Sequence, residues 1–114
     1  MCKPILLIGM MGCGKSTIGR LLAGRMGLPL IDLDEEIARA AGRSIPEIFA
    51  EEGDAGFRLH ETAALGRALD AGEAVIATGG GIVTREKNIR MMREKGVVVW
   101  LCRPLEDMIA DVRQ

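Results

Sequence analysis

The sequence predicts an α/β fold in three layers, a parallel sheet with helices on both faces. Three observations lead to this prediction. Short apolar segments alternate with segments of helical periodicity, a glycine-rich loop directly follows the first apolar segment, and no internal repeat or linker divides the 114 residues. Because strand–helix–strand connections are right-handed crossovers, the strands should run parallel, with their carboxyl ends at one edge. We therefore expect a single domain, residues 1–114.

Four apolar runs are the predicted strands. They cover residues 5–8, 30–31, 74–77 and 97–101. Their short length and continuous apolar character are typical of parallel strands that are buried on both faces. The second run continues into Asp32 and the third into three consecutive glycines. Ligands bind beyond the carboxyl ends of the strands in such sheets, so these positions are candidates for a site.

The helices of the first half are predicted from apolar periodicity and from end signals. The first helix begins at about Lys15. The second carries Ile37 on its inner side and ends at Gly42. A capping box formed by Ser44 and Glu47 then opens a short helix that ends near residue 53.

Three further helices are predicted in the second half. Asp54 is the expected N-cap of a long helix that ends at Gly72, and Thr84 is the expected cap of a helix over residues 85–95. In that helix we expect Ile89 and Met92 to face the core and the Arg and Lys side chains to face water. The last predicted helix covers residues 105–112.

Residues 9–16 carry the strongest functional signal. They read Gly-Met-Met-Gly-Cys-Gly-Lys-Ser, the phosphate-binding pattern G-x-x-x-x-G-K-[ST], between a strand and a helix as the pattern requires. Backbone N–H groups and the positive end of the helix dipole would face the phosphates of a nucleotide. Lys15 would bind the β- and γ-phosphates, and the Ser16 hydroxyl would ligate Mg²⁺. The candidate nucleotide-binding residues are Gly9, Gly12, Cys13, Gly14, Lys15, Ser16 and Thr17.

Two acids, Asp32 and Asp34, follow the second strand. In an extended chain they would point to opposite faces, whereas a helix beginning here would change that arrangement. Asp32 is the candidate support for the metal, because the third strand ends in Thr78 rather than in an acid. Asp34 is then the candidate catalytic acceptor of a proton from a substrate hydroxyl. Helix capping is the alternative, and taken alone it explains Asp34 better, but beside a phosphate loop the functional role is the better explanation.

Arg58 and Glu61 are three residues apart on one predicted helix. One interpretation is an exposed helical ion pair, worth about 0.2–0.5 kcal/mol, and the sequence alone slightly favours it. The other is an arginine fork that binds an acidic group of a substrate and is oriented by the neighbouring carboxylate. His60 lies between them and is expected to be a surface or half-buried residue without a catalytic role.

Gly79, Gly80 and Gly81 follow the third strand. They could form a loose turn. Three glycines lose more conformational entropy on folding than a turn requires, so close approach of a ligand to their backbone is the better explanation.

Composition excludes several classes of protein. A net charge of −1 and few aromatic residues (one Trp, two Phe, no Tyr) argue against a nucleic-acid-binding surface. No apolar run approaches the ~20 residues of a membrane span, and the N-terminal residues lack the features of a signal peptide. The three cysteines are odd in number and lack the spacing of a zinc site. We expect a cytoplasmic protein with neither nucleic-acid nor membrane partners.

Taken together, these motifs resemble the shikimate kinase family in order and spacing across nearly the whole chain. The matching segments are residues 9–16, Asp32-Leu33-Asp34, residues 45–49, Glu52-Gly53, Phe57-Arg58 with Glu61, and Gly79-Gly80-Gly81. The resemblance implies a P-loop NTPase of the adenylate-kinase-like fold group. It also implies transfer of the γ-phosphate of ATP to the 3-hydroxyl of shikimate with Mg²⁺, a step in aromatic amino-acid precursor synthesis.

The resemblance implies a role for each matching residue. On the nucleotide side, Lys15 would bind the phosphates, Ser16 would bind the magnesium ion, and Asp32 would support the metal through water.

On the shikimate side, Asp34 would bind the hydroxyls and help to deprotonate the attacking one. Arg58 would pair with the carboxylate, and Glu61 would belong to the same substrate-binding region. The backbone of Gly79, Gly80 and Gly81 would contact the ring hydroxyls.

One departure from the family is the length of the chain. Family members continue into a mobile lid with an Arg-Pro-Leu-Leu stretch, a fifth strand, a second carboxylate-binding arginine and an adenine-binding loop. Arg103-Pro104-Leu105 directly follows the fourth strand, where the family begins a helix, so we do not assign it to the lid. We expect a C-terminally incomplete domain that binds phosphates weakly and turns over poorly, and a monomer if the domain is complete.

Two alternatives stay open at this point. The chain could be another small-metabolite kinase, such as a gluconate kinase, in which case Arg58 would be idle for a substrate without a carboxylate. It could also be a nucleotide-binding fragment or regulatory module without catalysis.

Overall fold

The computed structural model describes residues 3–9, 15–79 and 81–101, with no side-chain detail for Lys15, Ser16 and Leu101. Four strands in these ranges form one sheet in the order β2-β3-β1-β4. They are β1 (Ile5–Gly9), β2 (Leu30–Asp32), β3 (Val75–Ala77) and β4 (Val97–Leu101). Every pairing is parallel. The predicted fold class is confirmed.

Four helices and one short turn connect these strands in the described ranges. They are α1 (Lys15–Met26), α2 (Leu33–Ala41), α3 (Ile45–Asp70) and α4 (Glu86–Lys95), with a 3₁₀ turn at Ile82–Thr84. The helix predicted over residues 105–112 lies outside the described residues. No helix in the described part of the chain is both long and apolar enough to cross a membrane.

The core has two parts because alternate strand residues face opposite sides of the sheet. Leu7 and Val75 are fully buried on the side that α1 covers. Leu6, Ile8 and Ile76 are buried on the other side, against α2, α3 and α4. Helices therefore cover both faces, as the alternation of strands and helices predicts.

The two helices predicted between residues 45 and 71 are both present, and they meet at a kink within α3. Its first turn has the predicted capping box: Ser44 Oγ accepts the N–H of Glu47 at 3.3 Å, and the Ser44 N–H donates to Glu47 Oε1 at 3.1 Å. Gly53 interrupts the helix with φ 73° and ψ −175°, a conformation that favours glycine. The Asp54 carboxylate lies 3.4 Å from Arg58 Nε. The predicted break near Gly53 is confirmed, and the two helical segments meet there without a loop.

Side chains from the two sides of the kink contact each other. The rings of Phe49 and Phe57 stack with their centroids 4.4 Å apart. His60 Nε2 lies 3.1 Å from Glu52 Oε2, and Arg43 at the end of α2 pairs with the same carboxylate. His60 is half-buried, as the sequence predicts.

The start of α4 differs from the prediction. Thr84 does not cap the helix, because its hydroxyl donates to the carbonyl of Gly81 at 2.7 Å and closes the preceding turn. The helix begins one residue later than predicted, after Arg85. Met92 is buried as predicted, whereas Asn88 occupies the other fully buried position of the helix and Ile89 is only half-buried. The inward face is therefore set by residues four apart, 88 and 92.

We expect Gly96 to be a position where any side chain destabilises the sheet. A Cβ atom there would overlap Leu6 Cδ1 in the core and lie 3.1 Å from the carbonyl oxygen of Pro4. Gly96→Ala should lower the free energy of unfolding by about 1–3 kcal/mol, as overpacking does. Urea denaturation measures it.

Gly24→Ala is the matched control. Gly24 lies on the exposed side of α1, with nothing within 4 Å of an added Cβ, so alanine there should raise stability by about 0.5–1 kcal/mol. Equal stability of the two variants would contradict the packing argument.

Candidate active site

The carboxyl ends of β1, β2 and β3 lie side by side at one edge of the sheet. Ala77, the last residue of β3, pairs with Leu7 of β1 on one side and with Asp32 of β2 on the other. Thr78 continues this edge: its N–H and its hydroxyl both donate to the carbonyl of Leu7, at 3.2 and 2.8 Å. The predicted convergence of the three strand ends is confirmed.

The phosphate-loop residues are described only at the two ends of the loop. Gly9 is the last residue of β1 and has φ 151°, a value that L side chains rarely adopt. Lys15 is the first residue of α1, and Thr17 is half-buried in its first turn. Gly12, Cys13 and Gly14 lie outside the described residues. The strand-before, helix-after context that the motif requires is present.

Asp32, not Asp34, is the N-cap of α2. Its Oδ1 accepts the N–H groups of Asp34 at 3.0 Å and of Glu35 at 3.3 Å. The capping alternative therefore applies to the first acid of the pair and is wrong for the second. Because the helix begins immediately after β2, the opposite-face geometry of an extended chain does not arise, and Asp34 lies in the first turn of the helix.

Asp34 and Glu61 approach the same glycine from two different helices. A Cβ atom on Gly79 would lie 3.3 Å from Asp34 Oδ1 and 3.7 Å from Glu61 Oε2. The backbone after β3 thus runs close to two carboxylates, so that a side chain at residue 79 would be in contact with both.

The ion pair of Arg58 and Glu61 is largely buried. Arg58 Nη1 lies 3.0 Å from Glu61 Oε1, the side chain of Glu61 is 1% exposed and that of Arg58 20% exposed. The interpretation as an exposed helical pair, which the sequence slightly favoured, is wrong. Arg58 also carries its Cζ atom 5.2 Å from the centroid of the Phe57 ring. The pair is held by packing as well as by charge.

The guanidinium of Arg58 lies directly against Gly81. A Cβ atom on Gly81 would be 2.5 Å from both Nη1 and Nη2 of Arg58. Gly79 therefore lies beside carboxylates, whereas Gly81 lies beside a guanidinium. The structure brings together Asp34, Arg58, Glu61, Gly79 and Gly81, while Gly80 lies outside the described residues.

Burial raises the pKa of the Glu61 carboxyl. The hydrogen bond and the charge of Arg58 oppose this shift, whereas the negative charges of Asp34 and Asp54 add to it. The site therefore combines one guanidinium with several carboxylates at the mouth formed by the strand ends. A guanidinium can pair with a negative group of a ligand, and carboxylates can accept hydrogen bonds from its hydroxyl groups.

Three further polar residues join α3 to the glycine segment, and the sequence analysis did not identify them. They are Thr62, Arg85 and Asn88, linked by hydrogen bonds of 2.8–3.0 Å. Arg85 was expected to face water, but it is half-buried and also donates to the carbonyl of Arg58 at 3.3 Å. An asparagine four residues before a buried methionine was the signal in the sequence that could have revealed this network.

The described residues contain no group of three or more His, Cys, Asp or Glu side chains arranged to hold a metal ion. Asp32 and Asp34 are the carboxylates nearest in sequence to the end of β2. Carboxylate oxygens are the protein ligands that Mg²⁺ takes, usually one or two of them together with water and phosphate oxygens. This pair is consistent with that kind of site.

A parallel sheet whose first strand and first helix flank the sequence G-x-x-x-x-G-K-[ST] is typical of the P-loop nucleotide-binding proteins. A family model described as shikimate kinase matches residues 11–114. Shikimate kinase from Rhodopseudomonas palustris is 52% identical over 99 residues, which are 87% of this chain and 49% of that protein. The chain belongs to the shikimate kinase family.

Solved structures agree with this assignment. Shikimate kinase from Acinetobacter baumannii in complex with shikimate has a TM-score of 0.87 at 42% identity, covering 93% of this chain and 59% of that chain. A gluconokinase from Sinorhizobium meliloti has a TM-score of 0.59 at 22% identity, covering 96% of this chain and 62% of its own, and shows the fold alone. The chain spans about half the length of the curated relatives it matches.

We expect Gly81→Ala to displace the guanidinium of Arg58 from its place beside Glu61. The added methyl would overlap the guanidinium, and the partner that has to move is half-buried. The free energy of unfolding should fall by about 1–3 kcal/mol, as urea denaturation measures. In an Arg58→Ala background Gly81→Ala should cost less than it does in the wild type, and an equal cost in both backgrounds would show that the clash with Arg58 is not the cause.

We expect the stability contribution of Glu61 to decrease as the pH rises. Its folded pKa is raised, so the folded state binds this proton more tightly than the unfolded chain, whose glutamates titrate near about 4.3. The contribution is complete below that pH and is lost as the pH rises through the folded pKa.

Glu61→Gln isolates this effect because the amide does not titrate. The free energy of unfolding of the variant, minus that of the wild type, should rise between pH 4.5 and neutrality. Denaturation by urea at a series of pH values measures the difference. A difference that stays flat or falls would show that the folded pKa is not raised.

Proposed function

We propose that the protein to which this chain belongs transfers the γ-phosphate of ATP to the 3-hydroxyl of shikimate, giving shikimate 3-phosphate and ADP. The single observation that carries the proposal is the meeting of Asp34, Glu61 and Arg58 at Gly79 and Gly81, on the edge where β1 enters the phosphate loop. Membership of the family and the likeness to a relative in complex with shikimate support the choice of substrate.

Arg58 is the proposed partner of the shikimate carboxylate. Its guanidinium is fixed by Glu61 on one side and by the backbone of Gly81 on another, so little side-chain entropy is left to lose on binding. A planar guanidinium pairs with a carboxylate through parallel hydrogen bonds. Gly79, Gly80 and Gly81 are proposed to contact the ring hydroxyls through their backbone.

Asp34 is the proposed catalytic base. Its position in the first turn of α2 keeps the carboxylate near Gly79 at the mouth of the strand ends. In the reaction, the 3-hydroxyl oxygen forms a bond to the γ-phosphorus, the bond between this phosphorus and the β,γ-bridging oxygen breaks, and the hydroxyl proton passes to Asp34. ADP carries away the electron pair of the broken bond.

The phosphate loop is proposed to bind ATP through Gly9, Gly12, Cys13, Gly14, Lys15, Ser16 and Thr17. Lys15 would neutralise the β- and γ-phosphates, where charge develops during transfer. Ser16 and Asp32 are proposed to hold Mg²⁺, Asp32 through water, since its Oδ1 already caps α2. When bound, the metal ion would supply charge neutralisation of the phosphates.

Three broader features belong to the same proposal. We infer a single domain over residues 1–114, a cytoplasmic location and a monomeric protein. The net charge of −1, the few aromatic residues and the odd number of cysteines support an intracellular small-molecule enzyme.

We expect calorimetry on the 114-residue chain to show binding of ATP with Mg²⁺ and a separate response to shikimate. Arg58→Ala should weaken shikimate binding about tenfold to a hundredfold, because a charge-assisted bidentate contact contributes roughly 1.5–3 kcal/mol. ATP binding should change less than about twofold.

Arg90→Ala is the matched control, since Arg90 is exposed on α4 and pairs only with Glu86 among the described contacts. It should leave both affinities unchanged. Shikimate binding that is insensitive to Arg58→Ala would favour another small-metabolite kinase. Nucleotide binding without any shikimate response would favour a nucleotide-binding module.

A further inference from the structure

A partly buried polar network ties α3 to the segment that carries the glycines. Thr62 on α3 donates from its hydroxyl to Asn88 Oδ1 at 2.8 Å, and Asn88 Nδ2 donates to the carbonyl of Ile82 at 3.0 Å. The N–H of Ile82 in turn donates to the carbonyl of Gly79 at 3.3 Å. A continuous chain of hydrogen bonds therefore runs from α3 through α4 to the backbone of the glycine segment.

Arg85 closes the same network from the other end of the turn. Its Nη1 donates to Thr62 Oγ1 at 3.0 Å and to the carbonyl of Arg58 at 3.3 Å. The hydroxyl of Thr62 thus accepts from Arg85 and donates to Asn88, which uses both of its functions. Arg85 thus binds α3 at two positions, Arg58 and Thr62, in the turn that carries Arg58 and Glu61.

The core position of Asn88 calls for an explanation. Asn88 is 0% exposed and lies one helical turn before the buried Met92, at a position where an apolar residue would give the helix its ordinary inner face. A buried amide is tolerated when both ends are hydrogen-bonded, and such a network fixes one arrangement of the elements that it joins. Here the elements joined are α3, α4 and the turn after Gly81.

The network fixes a close approach between α3 and the glycine segment. The guanidinium of Arg58 lies against Gly81 so closely that a single added carbon would overlap it, and a carbon added at Gly79 would contact the carboxylates of Asp34 and Glu61. A shift of α3 away from the glycine segment by a fraction of an ångström would separate these groups. Displacements of about 1 Å in substrate-positioning groups can reduce function by about 10²-fold.

We propose that Thr62, Asn88 and Arg85 are positioning residues for recognition of the substrate carboxylate. They act through Arg58 and the glycine segment without touching the substrate themselves. This inference rests on the proposed function for its substrate, and on the hydrogen-bond geometry alone for its structural part.

The test compares Thr62→Val with Thr62→Ser in the full 114-residue chain. Valine keeps the shape of threonine but removes the hydroxyl, which leaves Asn88 Oδ1 and one bond of Arg85 without a partner, whereas serine keeps the hydroxyl. In calorimetry, Thr62→Val should raise the Kd for shikimate about tenfold and change the Kd for ATP with Mg²⁺ less than about twofold. Thr62→Ser should stay within about twofold of the wild type for both ligands.

A substrate analogue separates positioning from a general loss of structure. With an analogue of shikimate in which a primary alcohol replaces the carboxylate, the difference between Thr62→Val and Thr62→Ser should disappear. If the role were merely structural, Thr62→Val would weaken the binding of shikimate, of ATP and of the analogue alike, or it would lower the melting temperature and leave every affinity unchanged. Either result would overturn the proposal.

A second readout keeps this inference distinct from the proposed function. The amide ¹H–¹⁵N shifts of Gly79, Gly81 and Ile82 should move in Thr62→Val and stay in place in Thr62→Ser. If the wild-type chain gave no shikimate response, the proposed function and the substrate part of this inference would both fail, and the shifts would decide the structural part, that Thr62 fixes the glycine segment. Unchanged shifts in Thr62→Val would refute it.

Discussion

The contact on which the site depends is the packing of the Arg58 guanidinium between a buried carboxylate and a bare stretch of backbone. Glu61 lies 3.0 Å from it and is 1% exposed, and Gly81 has no side chain that could separate the two segments. Removing such charges from water is unfavourable unless they are paired and hydrogen-bonded. The helix provides the pairing, since the two residues are three apart on α3, and the fold provides the burial by placing them against the glycine segment after β3.

This arrangement links the sheet to the proposed chemistry. Parallel strands bring the end of β1, the end of β2 and the segment after β3 to one edge of the sheet. In sheets of this kind, ligands bind at the carboxyl ends of the strands. Asp32 uses one carboxylate oxygen to begin α2, and this places Asp34 in the first turn of that helix. Because strand and helix meet without a loop, the capping acid and the proposed catalytic base both lie at this edge of the sheet.

Membership of the shikimate kinase family gives this geometry a functional setting. The chain spans about half the length of its curated relatives, so the activity of the whole protein is a proposal. The described residues include the proposed carboxylate-binding groups and their supports. The partly buried Thr62–Asn88 link connects those groups to the glycine segment, and its role can be measured by binding as well as by turnover.

The sequence by itself determined the order of strands and helices, the position of the phosphate loop and the capping box at Ser44, because these depend on local periodicity and on residues a few positions apart. The shared edge of the strand ends followed from the handedness of crossovers. Only the tertiary structure decided that Glu61 is buried and that Asn88 binds Thr62, 26 positions away. Burial and long-range hydrogen bonds depend on which helix faces pack together, and a local pattern does not specify that.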